Sequence, residues 1–401
     1  MTQTQRTRWR PPPVLAKYYL YEATATYGFV TPVFTLFLVW RDLSFTQIGL
    51  LGSLTAVVVV GGEIPTGYVS DRFGRRGSLF FGSALLAASL AGFLVAERFV
   101  VFAVLYALWA LGAVFRSGTI DAWLYETLQT QFDESSFTRV RGRGAAVNQW
   151  VSAVMMLSAG VLYEFDPRFP FAASVATLGV SCVVALSLPA VTTTHDDGEE
   201  SIAGAVSVLK GHLTKPPLRS TVLYLGLFLG VTSAANTYVQ PILTGPVGFP
   251  ETSLGPIYAG FTVVMATSGY FTDEIEARLT TRGAIVCIPA VVAVFLLVPL
   301  VVPMAALPAF VLVKSARTVL PPLANGYIND RIGSTNRATV LSAASMLYAL
   351  VRTPLKPLTG VVADVATPFV AIASLGVLFL LGAVLVVRWE MPVRDAASPA
   401  D

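Results

Sequence analysis

The sequence predicts an all-α polytopic membrane protein, with twelve transmembrane helices arranged as two six-helix halves. Three observations carry this reading. Apolar residues make up 54% of the 401, Asp, Glu, Lys and Arg together only 13%, and the mean hydropathy is +0.67. A soluble chain carries about 25% charged residues, because charge covers its surface. Second, the apolar runs between charged or turn-rich breaks number twelve, each near the roughly 20 helical residues that cross a ~30 Å hydrocarbon layer. Third, Lys and Arg fall almost entirely on one side of the layer that these runs define. A soluble enzyme, a nucleic-acid binder and a disordered chain are excluded. The net charge of +3 is mild.

The runs follow in order. Span 1 (16–40) is too long for a signal-peptide core and is followed by no small-residue cleavage site, so it is expected to stay as a helix. Spans 2 (47–70) and 3 (78–96) flank a polar glycine- and arginine-rich loop. Span 4 (99–127) carries Arg116 and Asp121 within its apolar run, and spans 5 (143–163) and 6 (170–190) complete the first half. A polar stretch follows, with the acidic run His195-Asp196-Asp197-Gly198-Glu199-Glu200, an amphipathic segment Ser201 to Leu213, and Lys215-Pro216-Pro217. It reads as a solvated linker. Spans 7 to 12 (220–243, 254–271, 283–302, 305–329, 338–361 and 366–388) form the second half. The expected organisation is therefore 1–190, a cytoplasmic linker 191–219, and 220–401.

With both termini placed in the cytoplasm, the inner segments hold nineteen Lys and Arg and the outer loops hold three, Arg41, Arg98 and Arg168. The positive-inside rule then fixes the orientation. Localisation in the plasma membrane is expected. Cys182 and Cys287 sit inside apolar runs and read as small buried hydrophobes, while the two histidines lie in the polar stretch. No Cys/His spacing suits a metal, so neither metal nor cofactor is expected, and the chain is expected to act as a monomer.

The halves echo each other. Thr31-Pro32 of span 1 corresponds to Gln240-Pro241 of span 7, and Gly67-Tyr68-Val69-Ser70-Asp71 after span 2 to Gly269-Tyr270-Phe271-Thr272-Asp273 after span 8. Arg116 corresponds to Arg317, and Ser135-Ser136-Phe137-Thr138-Arg139 to Ser334-Thr335-Asn336-Arg337. Parallel repeats of this kind place a transport site between the halves.

The loop after span 2 reads Gly67-Tyr68-Val69-Ser70-Asp71-Arg72-Phe73-Gly74-Arg75-Arg76. It resembles the signature of the major facilitator superfamily, and the resemblance extends through the six-plus-six layout over nearly the whole chain. It implies two six-helix bundles, alternating access, and a conformational lock in which Asp71 docks onto the positive N-terminus of helix 11. The expected lock residues are Gly67, Asp71, Arg72, Gly74, Arg75, Arg76 and, close by, Glu63. By the repeat, Asp273 is expected to dock near Ser135-Ser136, although the second copy lacks the glycine and the paired basic residues. Span 5 has no Gly-Pro motif, and Ile120 stands where the family's helix 4 signature has a glycine. Both departures count against a multidrug antiporter in particular and leave the superfamily untouched.

Ionisable residues at membrane depth usually face a cavity or a partner. The resemblance implies that spans 1, 4, 7 and 10 line the cavity, and Glu22, Arg116, Asp121, Lys314 and Arg317 fall on three of them. Glu22 and Asp121 are the expected proton-coupling sites, Glu22 having a structural hydrogen bond as its alternative role. Arg116, Lys314, Arg317 and Arg352, with Tyr27, Asn236, Tyr238 and Gln240, are the expected substrate-cavity residues. Lys356 either joins them or snorkels to the outer surface. Arg116 and Arg317, at equal depth by the repeat, are expected to clamp an anion or to serve internal acids. The expected activity is secondary transport of a small organic solute across the bilayer, with proton-coupled efflux leading and transport of an organic anion as the alternative. A polytopic enzyme on lipid-linked substrates is the alternative outside the class. It would want a large catalytic loop, and the one long loop reads as a linker.

Overall fold

The computed structural model describes residues 12–190, 216, 218–332 and 337–393, and the side chains of 63–73, 337–339, 342 and 343 lie outside the description. Among the described residues there is no strand. All twelve apolar stretches are helical, and among the described residues nine helical segments are long and apolar enough to cross a membrane.

The first half begins with α1 (Pro13–Thr24), whose proline sits in the first turn, where its missing N–H costs nothing. Span 1 was expected to run unbroken to residue 40. Instead it stops at Ala25, turns, and resumes as α2 (Phe34–Trp40). Pro32 cannot donate to a helix through that turn. Spans 2 and 3 are carried by one 49-residue element, α3 (Phe45–Phe93), which bends at Gly74 with φ +73°. Span 4 is divided into α4 (Phe99–Arg116) and α5 (Thr119–Gln131) by Ser117-Gly118, Gly118 having φ +72°. The helical twist between Arg116 and Asp121 is therefore interrupted. Next comes α6 (Phe137–Phe165), which starts six residues before the expected 143 and so takes Arg139 and Arg141 out of the predicted loop and onto a helix. α7 (Phe169–Ser187) closes the half.

The second half opens with α8 (Leu218–Ala235), a 3-10 turn at Asn236–Tyr238, and α9 (Val239–Thr244). Span 7 is thus broken where span 1 is broken, as the repeat requires. α10 (Leu254–Tyr270), α11 (Thr272–Phe295), α12 (Ala306–Asn329), α13 (Arg337–Val365) and α14 (Pro368–Trp389) follow. α11 bends at Thr280, with φ +59° and ψ 158°, much as α3 bends at Gly74 with φ 73° and ψ 161°. The two bends use the same backbone form, but the second puts a β-branched residue where an L side chain is strained. The linker expected over 191–219 falls mostly outside the described residues.

One apolar core runs through both halves, from Phe37, Phe93 and Phe171 to Phe228, Phe310 and Phe379. A second cluster of Leu15, Tyr18, Trp123 and Leu128 belongs to the first half alone. α13 packs along α3, and α10 along α6. Hydrogen bonds between the halves gather near the end where α3 begins. Ser44 and Gln47 form a capping box there, and Asp364 of α13 accepts from the backbone of Phe45 (2.7 Å) and Thr46 (2.9 Å) and from the Thr46 hydroxyl (2.6 Å). The four amide donors that open α3 are thereby satisfied, two of them by the other half. Gly49 and Gly360 permit the approach, since a Cβ on either would meet the facing backbone within 2.5 Å. Gln240 fastens the broken span 1 from across the interface. Its carbonyl accepts from Thr35 (2.7 Å) and Leu36 (3.2 Å), and its amide donates to the Thr31 carbonyl (2.9 Å) and the Tyr258 hydroxyl (3.0 Å).

Candidate functional site

Below this closure lies a cavity of about 590 Å³, lined by both halves. The breaks in spans 1 and 7 place unwound backbone beside it, which membrane proteins tolerate only where protein or water satisfies the freed groups. The first half contributes rings. Tyr27 meets Trp109 edge-on at 5.0 Å, Phe34 meets Trp109 at 5.4 Å and Tyr106 at 5.8 Å, and all four line the cavity. Thr31, Thr35 and Thr55 add hydroxyls.

The second half contributes charge. Lys314 and Arg317 of α12, and Arg352 and Lys356 of α13, all line the cavity, and no carboxylate is among the described lining residues. The members of each pair stand one helical turn apart and share a face. Lys314 donates to Asn236 Oδ1 at 2.5 Å and lies 5.5 Å from the Tyr258 ring centre. Arg317 has a buried guanidinium nitrogen without a hydrogen-bond partner. Gly52 makes room for Lys356, whose Nζ would lie 3.0 Å from a Cβ at that position. Lys356 therefore takes the cavity alternative and does not reach the surface. Cations at this depth need an anion or water.

The acids of the first half lie elsewhere. Glu22 is buried at 8% exposure on α1. Asp121 forms an ion pair with Arg141 of α6, and the same guanidinium stands 4.0 Å from the Glu22 carboxylate. Glu22 and Asp121, expected at similar depth, thus meet around one arginine. Arg116 stands off the cavity. It donates to the Ala25 carbonyl at 2.6 Å, satisfying the acceptor that the break in span 1 frees, and packs over the Tyr21 ring at 5.8 Å. The structure does not bring Arg116 and Arg317 together. Tyr238 also stands off the cavity, buried against Phe45 at 5.5 Å. Tyr27, Asn236, Gln240, Lys314, Arg317 and Arg352 all line it.

In the signature segment, Glu63, Gly67, Asp71 and Arg72 lie outside the described side chains. Gly74 makes the bend, Arg75 pairs with Glu126 at 3.2 Å, and Arg76 is half-buried. Asp273 is exposed, and Ser135, its expected docking point, donates instead to Asp133 through backbone (2.9 Å) and hydroxyl (2.7 Å). Those two bonds hold the Asp133 carboxyl below the usual range.

Sequence reasoning finds Tyr27 of the ring wall and misses Phe34, Tyr106 and Trp109 beside it, as it misses Arg141. The rings carried no signal separating cavity from core. Arg141 reads in the sequence as part of the inner basic loop, because the apolar run begins only at 143 while α6 begins at Phe137.

The fold and this central cavity define a polytopic secondary transporter. The family profile of the Major Facilitator Superfamily matches residues 23–353, and the chain belongs to that superfamily. It is 25% identical over 341 residues to the uncharacterized MFS-type transporter YxaM of Bacillus subtilis (strain 168), covering 80% of this chain and 82% of that one. Among solved structures it resembles the nucleoside transporter NupG, with a TM-score of 0.77 at 10% identity over 94% of this chain and 97% of that one. It also resembles a bacterial homolog of the human lysosomal transporter Spinster in an inward-facing, unoccupied conformation, with a TM-score of 0.70 at 15% identity over 96% and 98%. Both similarities speak for the fold.

Proposed function

We propose that this transporter carries a small organic anion by alternating access. One observation supports this most: the cavity between the halves presents Lys314, Arg317, Arg352 and Lys356 and no acid among its described lining residues. Arginine holds its charge and cannot relieve its burial by losing a proton. The halves are fastened near the start of α3, which leaves loading to the end that bears the signature segment. The distribution of Lys and Arg supports placing that end in the cytoplasm, with export as the direction. Glu22 and Asp121, gathered on Arg141, are the proposed proton-coupling pair, whose protonation would release the arginine. Purified protein in a ligand-stabilisation screen tests the substrate charge. Organic anions raise the melting temperature, while matched cations and neutral compounds leave it unchanged. Equal stabilisation by a neutral compound would remove the anion reading. Anion flux in proteoliposomes with and without a proton gradient then tests the coupling, and gradient-independent flux overturns the role of Glu22 and Asp121.

A further inference from the structure

We propose that the substrate is a bipartite dianion: a head carrying two negative charges, phosphate ester or dicarboxylate, seated on the second half, and a flat apolar body laid on the rings of the first. This rests on the anion-transport reading and narrows it.

The head follows from the number of cations and their grouping. Lys314 and Arg317 on one helix and Arg352 and Lys356 on the next line the same cavity, so the four form one cluster. Lys314 is held by Asn236. No described acid pairs with Arg317, Arg352 or Lys356, and one Arg317 nitrogen is buried without a partner. One negative charge would leave most of this cluster repelling itself in a medium of low dielectric. Two guanidinium forks on adjacent helices suit an oxyanion group with several acceptor oxygens.

The body follows from the opposite wall. Tyr27, Trp109, Phe34 and Tyr106 form an unbroken series of ring contacts, and among the described residues no charged side chain lines the cavity from that side. Such a wall favours a planar apolar group by stacking and by edge contacts. A cavity of about 590 Å³ has room for a ring and a head together.

The test measures binding to the full-length purified protein by calorimetry at pH 8. The probes are phenyl phosphate and phthalate as ring-bearing dianions, benzoate as the ring-bearing monoanion, inorganic phosphate and succinate as dianions without a ring, and benzamide as the neutral ring. Phenyl phosphate, phthalate or both should bind at least about tenfold more tightly than benzoate, and at least about tenfold more tightly than the ringless dianion of the same head chemistry. The stronger of the two names that head chemistry. Arg352→Gln should bring the better dianion down to the level of benzoate. Trp109→Leu should bring it down to that of its ringless counterpart. Should either variant fail to fold, Arg352→Lys and Tyr27→Leu address the same two walls. Benzoate binding as tightly as both ring-bearing dianions would overturn the two-charge head and leave anion transport standing. Ringless dianions binding as tightly as ringed ones would overturn the body. Benzamide matching benzoate would overturn the anion reading beneath both, as would no binding by any anion up to about 10 mM.

Discussion

The two halves share a fold and treat their charges in opposite ways. In the first half the described charges of the candidate site have internal partners: Arg141 serves Asp121 and Glu22, Arg116 serves the Ala25 carbonyl, and Arg75 serves Glu126. In the second half the cations of α12 and α13 have no described acid and turn to the cavity. Repeat-related arginines have thus diverged: Arg116 repairs a break in a helix, while Arg317 faces the space between the halves. A buried charge marks a substrate site only after its internal partners have been accounted for.

Four changes break or sharpen this contrast. The largest effect belongs to the double variant Arg317→Gln/Arg352→Gln, which should weaken anion binding by about 3 kcal/mol, on the order of a hundredfold. Arg116→Gln, measured by the same calorimetry, should leave affinity unchanged and lower the melting temperature. Equal losses of affinity in the two would erase the distinction between the halves.

Arg141→Gln comes next. It strands Asp121 and the buried Glu22, and because the pair with Asp121 is partly exposed the cost is about 2 kcal/mol, below that of a fully buried pair. Thermal unfolding in detergent should show the loss, and adding Glu22→Gln should recover part of it. A variant as stable as the parent would mean that the first half does not need its internal pairing.

Thr280→Gly asks the second half to bend as the first does. It should stabilise by about 1 kcal/mol, the strain of a β-branched residue at φ +59° less the entropy of an added glycine and the bond the Thr280 hydroxyl accepts from the Gly283 amide. Gly74→Thr should destabilise by a similar amount. If the melting temperature does not rise with Thr280→Gly, the two bends are not energetically alike.

The smallest effect concerns the seam between the halves. Asp364→Asn keeps the shape of the side chain and removes the charge at the start of α3, costing about 1 kcal/mol at this exposed position. Cysteine labelling of the cavity from the α3-start side should rise about fivefold. Unchanged labelling would show that the glycine-lined backbone approach alone holds this end shut.

Much of this was legible in the sequence. Apolar runs reported the helices, all twelve of which form among the described residues, nine of them long and apolar enough to cross a membrane, because burial in hydrocarbon demands such runs. Lys314, Arg317 and Arg352 were legible as cavity residues, since a membrane-depth cation in a half without acids has few places to go. The fates of Arg116 and Arg141 were not. Arg116 answers to a carbonyl on another helix, freed by a break that Pro32 hinted at but did not locate. Arg141 depends on where α6 begins, and the basic run Arg139-Val140-Arg141-Gly142-Arg143 reads equally as loop or as helix. Lys356 turned on a glycine, Gly52, on a helix roughly 300 positions away in sequence. Tertiary space of that kind leaves no local pattern.

The cation cluster also makes the empty carrier an electrical object. On the proposed cycle, Lys314, Arg317, Arg352 and Lys356 face one side of the bilayer and then the other, so they act as built-in gating charge. A membrane potential is worth about 2.3 kcal/mol per elementary charge per 100 mV for a full crossing. With the cell interior negative, the unloaded protein is drawn toward the inward-facing form. A bound dianion cancels two of the charges and weakens that pull, so the loaded protein moves outward against less resistance than the empty one would meet. Voltage then resets the carrier after each release, and the turnover of export becomes a function of membrane energisation through the protein's own lysines and arginines.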